Sequence, residues 1–384
     1  MKITFVTYHN WETKRHGGFH QFAEYIARGG SEVVFFSFSR PYYSVLKHEE
    51  RLNAQVLRKL KKGVKYKVGS GVLYNVTWPT LALPGNIRNY FPNKISSWLM
   101  CHSLTPFSKF QRKWLEGTDC FVFESCDALH LLKVIKLHNP NAKIVYRPSD
   151  PVVDISNEPA LIEAEHQMLI KADMIALVNE ESREVYRTAF PDYNDSKSIV
   201  ISNGVDLSDY RKIHPIPDIM RGKKTALYIG LFDVDWDLIV EASIKLPDIT
   251  FIVVNPNKLD IATREKIKGH DNIIYVEGIR PEEVPAWTTN ANLIMQPQMS
   301  NFYKRKSVSL TAKNYKAMAA GKPMVAYMIP KKLERYGLII ADNHDDFINA
   351  IRENIDKRDY KFNINLEEKD WNVLCEKFMK IITK

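Results

Sequence analysis

Residues 1–38 read MKITFVTYHNWETKRHGGFHQFAEYIARGGSEVVFFSF, and this stretch decides the fold class. Ile3–Tyr8 is a short, mostly apolar run of strand length. A polar loop follows and ends in the paired glycines Gly17-Gly18. In Phe19–Arg28 the residues Phe19, Phe22, Ala23 and Ile26 fall on one helical face, and Gly29-Gly30 supplies a stop. Glu32–Phe38 is a second apolar run. Strand, helix and strand in this order form the repeating unit of a parallel sheet covered by helices.

The alternation continues outward from this unit. Further strands are predicted at Gly71–Val76, Cys120–Phe123, Lys143–Arg147, Met174–Val178 and Ser198–Ile201. A second set is predicted at Thr225–Ile229, Thr250–Val254, Asn272–Val276, Leu293–Gln296 and Pro323–Tyr327. Each half carries its own set, so the expected architecture is α/β, with two Rossmann-like doubly wound domains facing a cleft. Asn203-Gly204 is a turn signal and Pro215-Ile216-Pro217 a stiff linker, which puts the boundary near Asn203–Asp218. The expected division is residues 1–205, 206–365, and a C-terminal helix in 366–384 packing back toward the first domain. A length of 384 residues suits two domains, and 45% hydrophobic with 26% charged residues is a globular composition.

No apolar run is long enough to span a bilayer, and the opening residues are too mixed for a signal peptide, so the expectation is a cytoplasmic protein. Cys101, Cys120, Cys126 and Cys375 show no metal-ligand spacing and read as free thiols. The net charge of +9 has one source: Arg51–Leu115 contains twelve Lys or Arg and no Asp or Glu, leaving 42 basic against 45 acidic residues elsewhere. Tyr66, Tyr74, Trp78, Tyr90, Phe91, Trp98, Phe107, Phe110 and Trp114 are interleaved with that charge. Three readings stand: an anionic membrane surface, a solvated basic face whose aromatics are core, or nucleic acid.

A doubly wound sheet binds ligands at the carboxyl ends of its strands. After the first strand come His9-Asn10 and, at the helix start, Gly17-Gly18, a place for a polar or anionic group. No GxGxxG is present, so a dinucleotide fingerprint is absent. Past Val145-Tyr146-Arg147 comes Pro148-Ser149-Asp150-Pro151, where prolines stiffen the backbone around Asp150. A carboxylate there suits a general base; a turn aspartate is the competing reading. In Lys306–Pro323, Ser309 or Thr311 caps a helix, Lys313 lies in its first turns and Gly321 ends it. A helix N-terminus with a nearby lysine favours a diphosphate, against the plainer reading of a surface helix with solvated lysines.

Ile201-Ser202-Asn203-Gly204-Val205-Asp206, Ile273–Gly278, Val284-Pro285-Ala286-Trp287 and Lys316-Ala317-Met318-Ala319-Ala320-Gly321-Lys322-Pro323 together resemble GT-B glycosyltransferases. Many retaining members carry two glutamates in the last helix; Val308 and Lys316 stand at those positions, which weighs against that class. Val122-Phe123-Glu124-Ser125, Asn141–Asp150, Met174–Val178 and His9-Asn10 resemble the family of the membrane-associated, inverting β-glucuronosyltransferase of xanthan assembly. That resemblance implies UDP-glucuronate as donor, a lipid-diphosphate-linked oligosaccharide as acceptor, and no metal ion or other cofactor. It puts the catalytic base on Asp150 and the diphosphate lysine on Lys313. It places the rest of the donor pocket at Phe232, Glu277, Gly278, Gln298, Ala312 and Lys316, and Lys316 or Arg280 offers a cation for a uronate carboxylate. It puts His9, Asn10, Gly17, Gly18, Glu124 and Arg147 on the acceptor side. Ile95, Trp98, Leu99 and His102 share a helical face, so Arg88, Lys94, Trp98 and Leu99 are expected to face an anionic bilayer, peripherally and on its cytoplasmic side, with no nucleic acid partner. The alternatives are a different donor, such as UDP-glucose or GDP-mannose, and a non-enzymatic protein that binds membrane or nucleic acid.

Overall fold

The computed structural model describes residues 1–13, 16–38, 42, 62–88, 90–231, 233–299 and 305–383. It divides into two units, Met1–Ser202 with Leu374–Lys384, and Asn203–Val373. Apolar runs become strands because both faces of each sheet are covered, so neither face needs polar residues. In the first unit these are β1 (Lys2–Thr7), β2 (Glu32–Ser37), β3 (Val64–Val68), β4 (Gly71–Val76), β5 (Cys120–Phe123), β6 (Lys143–Tyr146), β7 (Met174–Leu177) and β8 (Ser198–Val200). Their order is β3-β4-β2-β1-β5-β6-β7-β8. All neighbours run parallel except β3, which is antiparallel to β4.

Strand β3 was not expected. Its alternation is Val64-Lys65-Tyr66-Lys67-Val68, with both lysines exposed, and its charge disguised it as part of a basic surface. The hairpin signal was present in Gly69-Ser70: Gly69 has φ +57° and a Cβ there would come within 2.9 Å of the Arg28 backbone.

The second unit holds β9 (Lys224–Ile229), β10 (Ile249–Val254), β11 (Ile273–Val276), β12 (Leu293–Pro297), β13 (Met324–Tyr327) and β14 (Ile339–Ala341). These run parallel in the order β11-β10-β9-β12-β13-β14. The short edge strand β14 is a further element the sequence did not announce. Strand order reverses between β1 and β5 in one unit and between β9 and β12 in the other. A doubly wound sheet opens a crevice at such a reversal, outside the carboxyl ends of the strands.

The core of the first unit absorbs much of the aromatic content of the basic stretch. Trp78, Phe110 and Trp114 are buried, and Phe110 lies 4.7 Å from Phe36 between ring centroids. For these three the plain reading holds: they are core. The C-terminal helix Trp371–Thr383 brings Phe378 onto Phe22 at 4.3 Å and Phe5 at 6.4 Å. Burying that ring contributes about 1.5–3 kcal/mol, and the Lys143 ammonium caps the helix by donating to the Ile381 carbonyl at 2.6 Å.

Candidate active site

At the reversal in the first sheet, β1 ends in Thr7, followed by Tyr8 and His9, and β5 is followed by Glu124. The Glu124 side chain is fully buried. It accepts hydrogen bonds from the Thr7 hydroxyl, from Ser149 Oγ at 2.7 Å and from His9 Nε2 at 3.3 Å. Burial pushes the Glu124 carboxyl up, but His9 and the two hydroxyls outweigh it and hold the group below its ordinary range. His9 is itself tied down: its N–H donates to Thr7 Oγ1 at 3.0 Å and its carbonyl accepts from Ser37 Oγ at 2.6 Å.

Asp150 follows β6 after Arg147, Pro148 and Ser149. It is half-buried, and its backbone N–H donates to Ser125 Oγ at 3.4 Å, beside that of Ser149 at 3.1 Å. Ser149 and His9 both donate to Glu124 Oε1, so a histidine and the serine that precedes the candidate base meet on one buried carboxylate. A half-exposed carboxylate on a fixed turn can receive a proton from a bound hydroxyl.

Three residues assigned to the acceptor side do not face outward: Glu124, Arg147 and Asn10 are buried. Gly17 is exposed, at the N-cap of the helix Gly18–Arg28. The Arg147 guanidinium donates to the Ile201 carbonyl at 3.4 Å and lies over the Phe22 ring at 5.1 Å. Burial pushes it down to about 10, against the pull of Glu124. Its place is a counter-charge beneath the site. The loop after β1 is fastened by His20, whose Nε2 donates to the Asn10 carbonyl at 2.8 Å, leaving Nδ1 to accept from Gly17 N–H at 3.3 Å. Burial drives His20 to about 3, so it is neutral and this tautomer is fixed.

At the reversal in the second sheet lies an open pocket. Strand β9 contributes Leu227, Tyr228 and Ile229, and β12 contributes Ile294, Met295 and Gln296. The helix Ala312–Ala319 adds Lys313 and Lys316. Thr311 is the N-cap of that helix, and the Asn314 carboxamide accepts from both its N–H and its hydroxyl at 2.8 Å. The Lys313 ammonium lies 5.1 Å from the centre of the Tyr228 ring, and desolvation lowers it to about 8. Lys316 is also pushed down by burial and makes no ion pair among the described residues. Gly230, directly after β9, leaves the space these groups use: a Cβ there would lie 2.4 Å from the Tyr228 hydroxyl and 2.9 Å from Lys313 Nζ.

Other donor-side expectations fare unevenly. Phe232 lies outside the described residues. Arg280 is exposed and donates to Glu283 at 3.0 Å, so its charge is spent on a surface pair and it does not line the pocket. Glu277 is exposed, Gly278 forms a turn with φ +76°, and Ala312 is the first residue of the lysine-bearing helix. Gln298, just past β12, is 1% exposed, and neither atom of its carboxamide finds a hydrogen-bond partner among the described residues. Sequence reasoning missed Gly230, Tyr228 and Ser125. A glycine directly after the first strand of a Rossmann-like domain was the available signal for the first of them.

The helix Asn93–Met100 turns Ser96 and Met100 inward and leaves Ile95 and Trp98 outward. Trp98 is 52% exposed and stacks on His102 at 4.0 Å; Tyr90, Phe91 and Leu104 are also exposed. Lys94 is exposed and Leu99 half-buried. Arg88 differs from expectation: it is 13% exposed and pairs with Asp127 at 3.1 Å and Glu158 at 3.4 Å, so it neutralises carboxylates under the helix. Among the described residues no helix is long and apolar enough to cross a membrane.

A family model described as the N-terminal domain of the glucuronosyltransferase GumK matches residues 5–178. The chain is 27% identical over 198 residues to "Putative teichuronic acid biosynthesis glycosyltransferase TuaH" of Bacillus subtilis (strain 168), an alignment covering 47% of this chain and 49% of that protein. It thus spans about half the length of that relative. It is 25% identical over 304 residues to the UDP-glucuronate:glycolipid 2-beta-glucuronosyltransferase of Xanthomonas campestris pv. campestris, covering 74% of this chain and 71% of the other. In fold it is similar to a solved structure of an E. coli trehalose-6-phosphate protein bound with UDP-2-fluoro glucose. The TM-score is 0.67 at 9% identity, over 100% of this chain and 99% of the other. The fold is GT-B.

Proposed function

We propose that this chain, a GT-B glycosyltransferase related to the glucuronosyltransferases, transfers glucuronate from UDP-glucuronate to a lipid-diphosphate-linked oligosaccharide, with inversion and without a metal ion. The observation that carries the reading is the pair of lysines sunk in one pocket at the reversal of the second sheet. Two desolvated ammoniums in one pocket are unfavourable when empty, through lost hydration. An anion with several negative charges offsets that loss. In this reading Lys313 and the helix N-terminus meet the diphosphate. Lys316, one turn further along, meets the uronate carboxylate.

The first unit supplies the base. Asp150 takes the proton of the acceptor hydroxyl as its oxygen attacks the anomeric carbon from the face opposite UDP. The bond from that carbon to the diphosphate oxygen breaks, and its electron pair leaves with UDP. Lysine charge stabilises the leaving diphosphate, the service a divalent cation gives in metal-dependent transferases. The exposed Trp98 face with Lys94 supports a peripheral position on an anionic, cytoplasmic bilayer surface, where a lipid-linked acceptor would be met.

Calorimetry with UDP followed by turnover on UDP-glucuronate, UDP-glucose and GDP-mannose tests this. The expected result is UDP binding, UDP release from UDP-glucuronate alone, and full activity in excess EDTA. Preference for another donor overturns the uronate assignment. EDTA inhibition reversed by Mg²⁺ or Mn²⁺ overturns metal independence, and no UDP binding at all overturns the enzyme reading. Lys316→Gln should weaken UDP-glucuronate far more than UDP-glucose; equal effects would move Lys316 to the diphosphate.

A further inference from the structure

The turn that carries Asp150 is unusual in where its backbone donors go. Pro148 and Pro151 have no N–H. The N–H groups of Ser149 and Asp150 donate to Ser125 Oγ at 3.1 and 3.4 Å. Those of Val152 and Val153 donate to the Glu165 carboxylate at 2.8 and 2.9 Å. Every backbone donor from Pro148 to Val153 therefore ends on a side-chain oxygen, whereas most buried backbone donors in proteins end on other backbone groups. A third tether runs from Ser149 Oγ to Glu124 at 2.7 Å. The position of Asp150 is thus set by side chains from the end of β5 and from the helix Pro159–Lys171.

We propose that Ser125 is a positioning residue for Asp150: its hydroxyl oxygen, receiving both N–H groups, fixes where the carboxylate stands for proton abstraction. This rests on Asp150 being the base. Glu165 completes the clamp on the far side, but it also accepts from the Tyr146 and Tyr186 hydroxyls at 2.6 and 2.7 Å in the core, so its loss damages folding as well as position. Ser125 is only half-buried. Removing its hydroxyl loosens the Ser149–Asp150 backbone, while the Glu165 and Glu124 tethers and the sheet ladders stay intact. A shift of about 1 Å in a reacting group costs on the order of a hundredfold in rate.

The test is UDP release from UDP-glucuronate with a lipid-diphosphate-linked oligosaccharide acceptor, with UDP affinity as the control for an intact second unit. Ser125→Ala should lower kcat about ten- to a hundredfold and leave UDP affinity and donor KM unchanged, and Ser125→Thr should restore kcat to within about threefold. Ser125→Cys, nearly isosteric but a poor acceptor, should behave like Ser125→Ala and serves if that variant is unstable. In an Asp150→Asn background, Ser125→Ala should cost nothing further, because the group it positions is gone. Ser125→Ala at the wild-type rate, beside an inactive Asp150→Asn, overturns the positioning role alone. So does an equal loss from Ser125→Ala in both backgrounds. Full activity in Asp150→Asn instead overturns the base, and the positioning role with it.

Discussion

UDP binding should weaken as pH rises through the value to which burial has driven Lys313. Free of ligand, that ammonium titrates at about 8 instead of 10.5. At pH 7 it is mostly charged; at pH 9 only about one molecule in ten carries the charge. A diphosphate favours the charged form, so binding at the higher pH must first take up a proton. The affinity should therefore fall about tenfold between pH 7 and 9, about 1.4 kcal/mol. Calorimetry in two buffers of different ionisation heat should show uptake of about one proton at pH 9 and little at pH 7. Lys313→Met should bind UDP weakly and lose most of the slope. The same shift has a stability consequence. Between pH 8 and 10.5 the unfolded chain holds a proton that the folded chain has lost, so the unliganded protein gains stability as pH rises through that window. Flat UDP affinity from pH 7 to 9 without proton uptake, in a protein that does bind UDP, would refute the placing of Lys313 against the diphosphate.

Asp150→Asn should keep UDP affinity and lose about a hundredfold or more in turnover; a near wild-type rate makes Asp150 structural. Gly230→Ala should weaken UDP by about tenfold, because a Cβ there would stand 2.4 Å from the Tyr228 hydroxyl and 2.9 Å from Lys313 Nζ and displace the ammonium; unchanged affinity in the folded variant would show that this space is idle. Trp98→Ala with Lys94→Glu should reduce co-sedimentation with anionic vesicles, more so at low salt, while shifting stability by no more than about 0.5 kcal/mol, since both side chains are exposed. Equal, negligible pelleting of the wild-type chain with anionic and neutral vesicles would remove the membrane surface.

The parallel α/β character was written in the sequence because it is local. A run such as Val33-Val34-Phe35-Phe36, bounded by Gly29-Gly30, is a strand whatever surrounds it, and β9, β10 and β12 stood within a residue of expectation for the same reason. The turn proline–serine–aspartate–proline at 148–151 and the capped helix bearing Lys313 were legible too, since prolines and caps act on their own neighbours. Exposure was not legible. The nine aromatics of the basic stretch look alike in sequence, yet Trp78 is core and Trp98 lies in the open, because which ring meets Phe36 or Phe107 depends on contacts between distant elements. The same holds for charge. Arg88, Glu124 and Arg147 are as polar as any surface residue, and only packing reveals that each is enclosed with a partner of opposite sign or a hydrogen-bond donor. Ser125 makes the same point at the site itself. A serine after a strand says nothing alone; its hydroxyl acquires a role only when β5 and β6 pair and bring the backbone of residue 150 within reach.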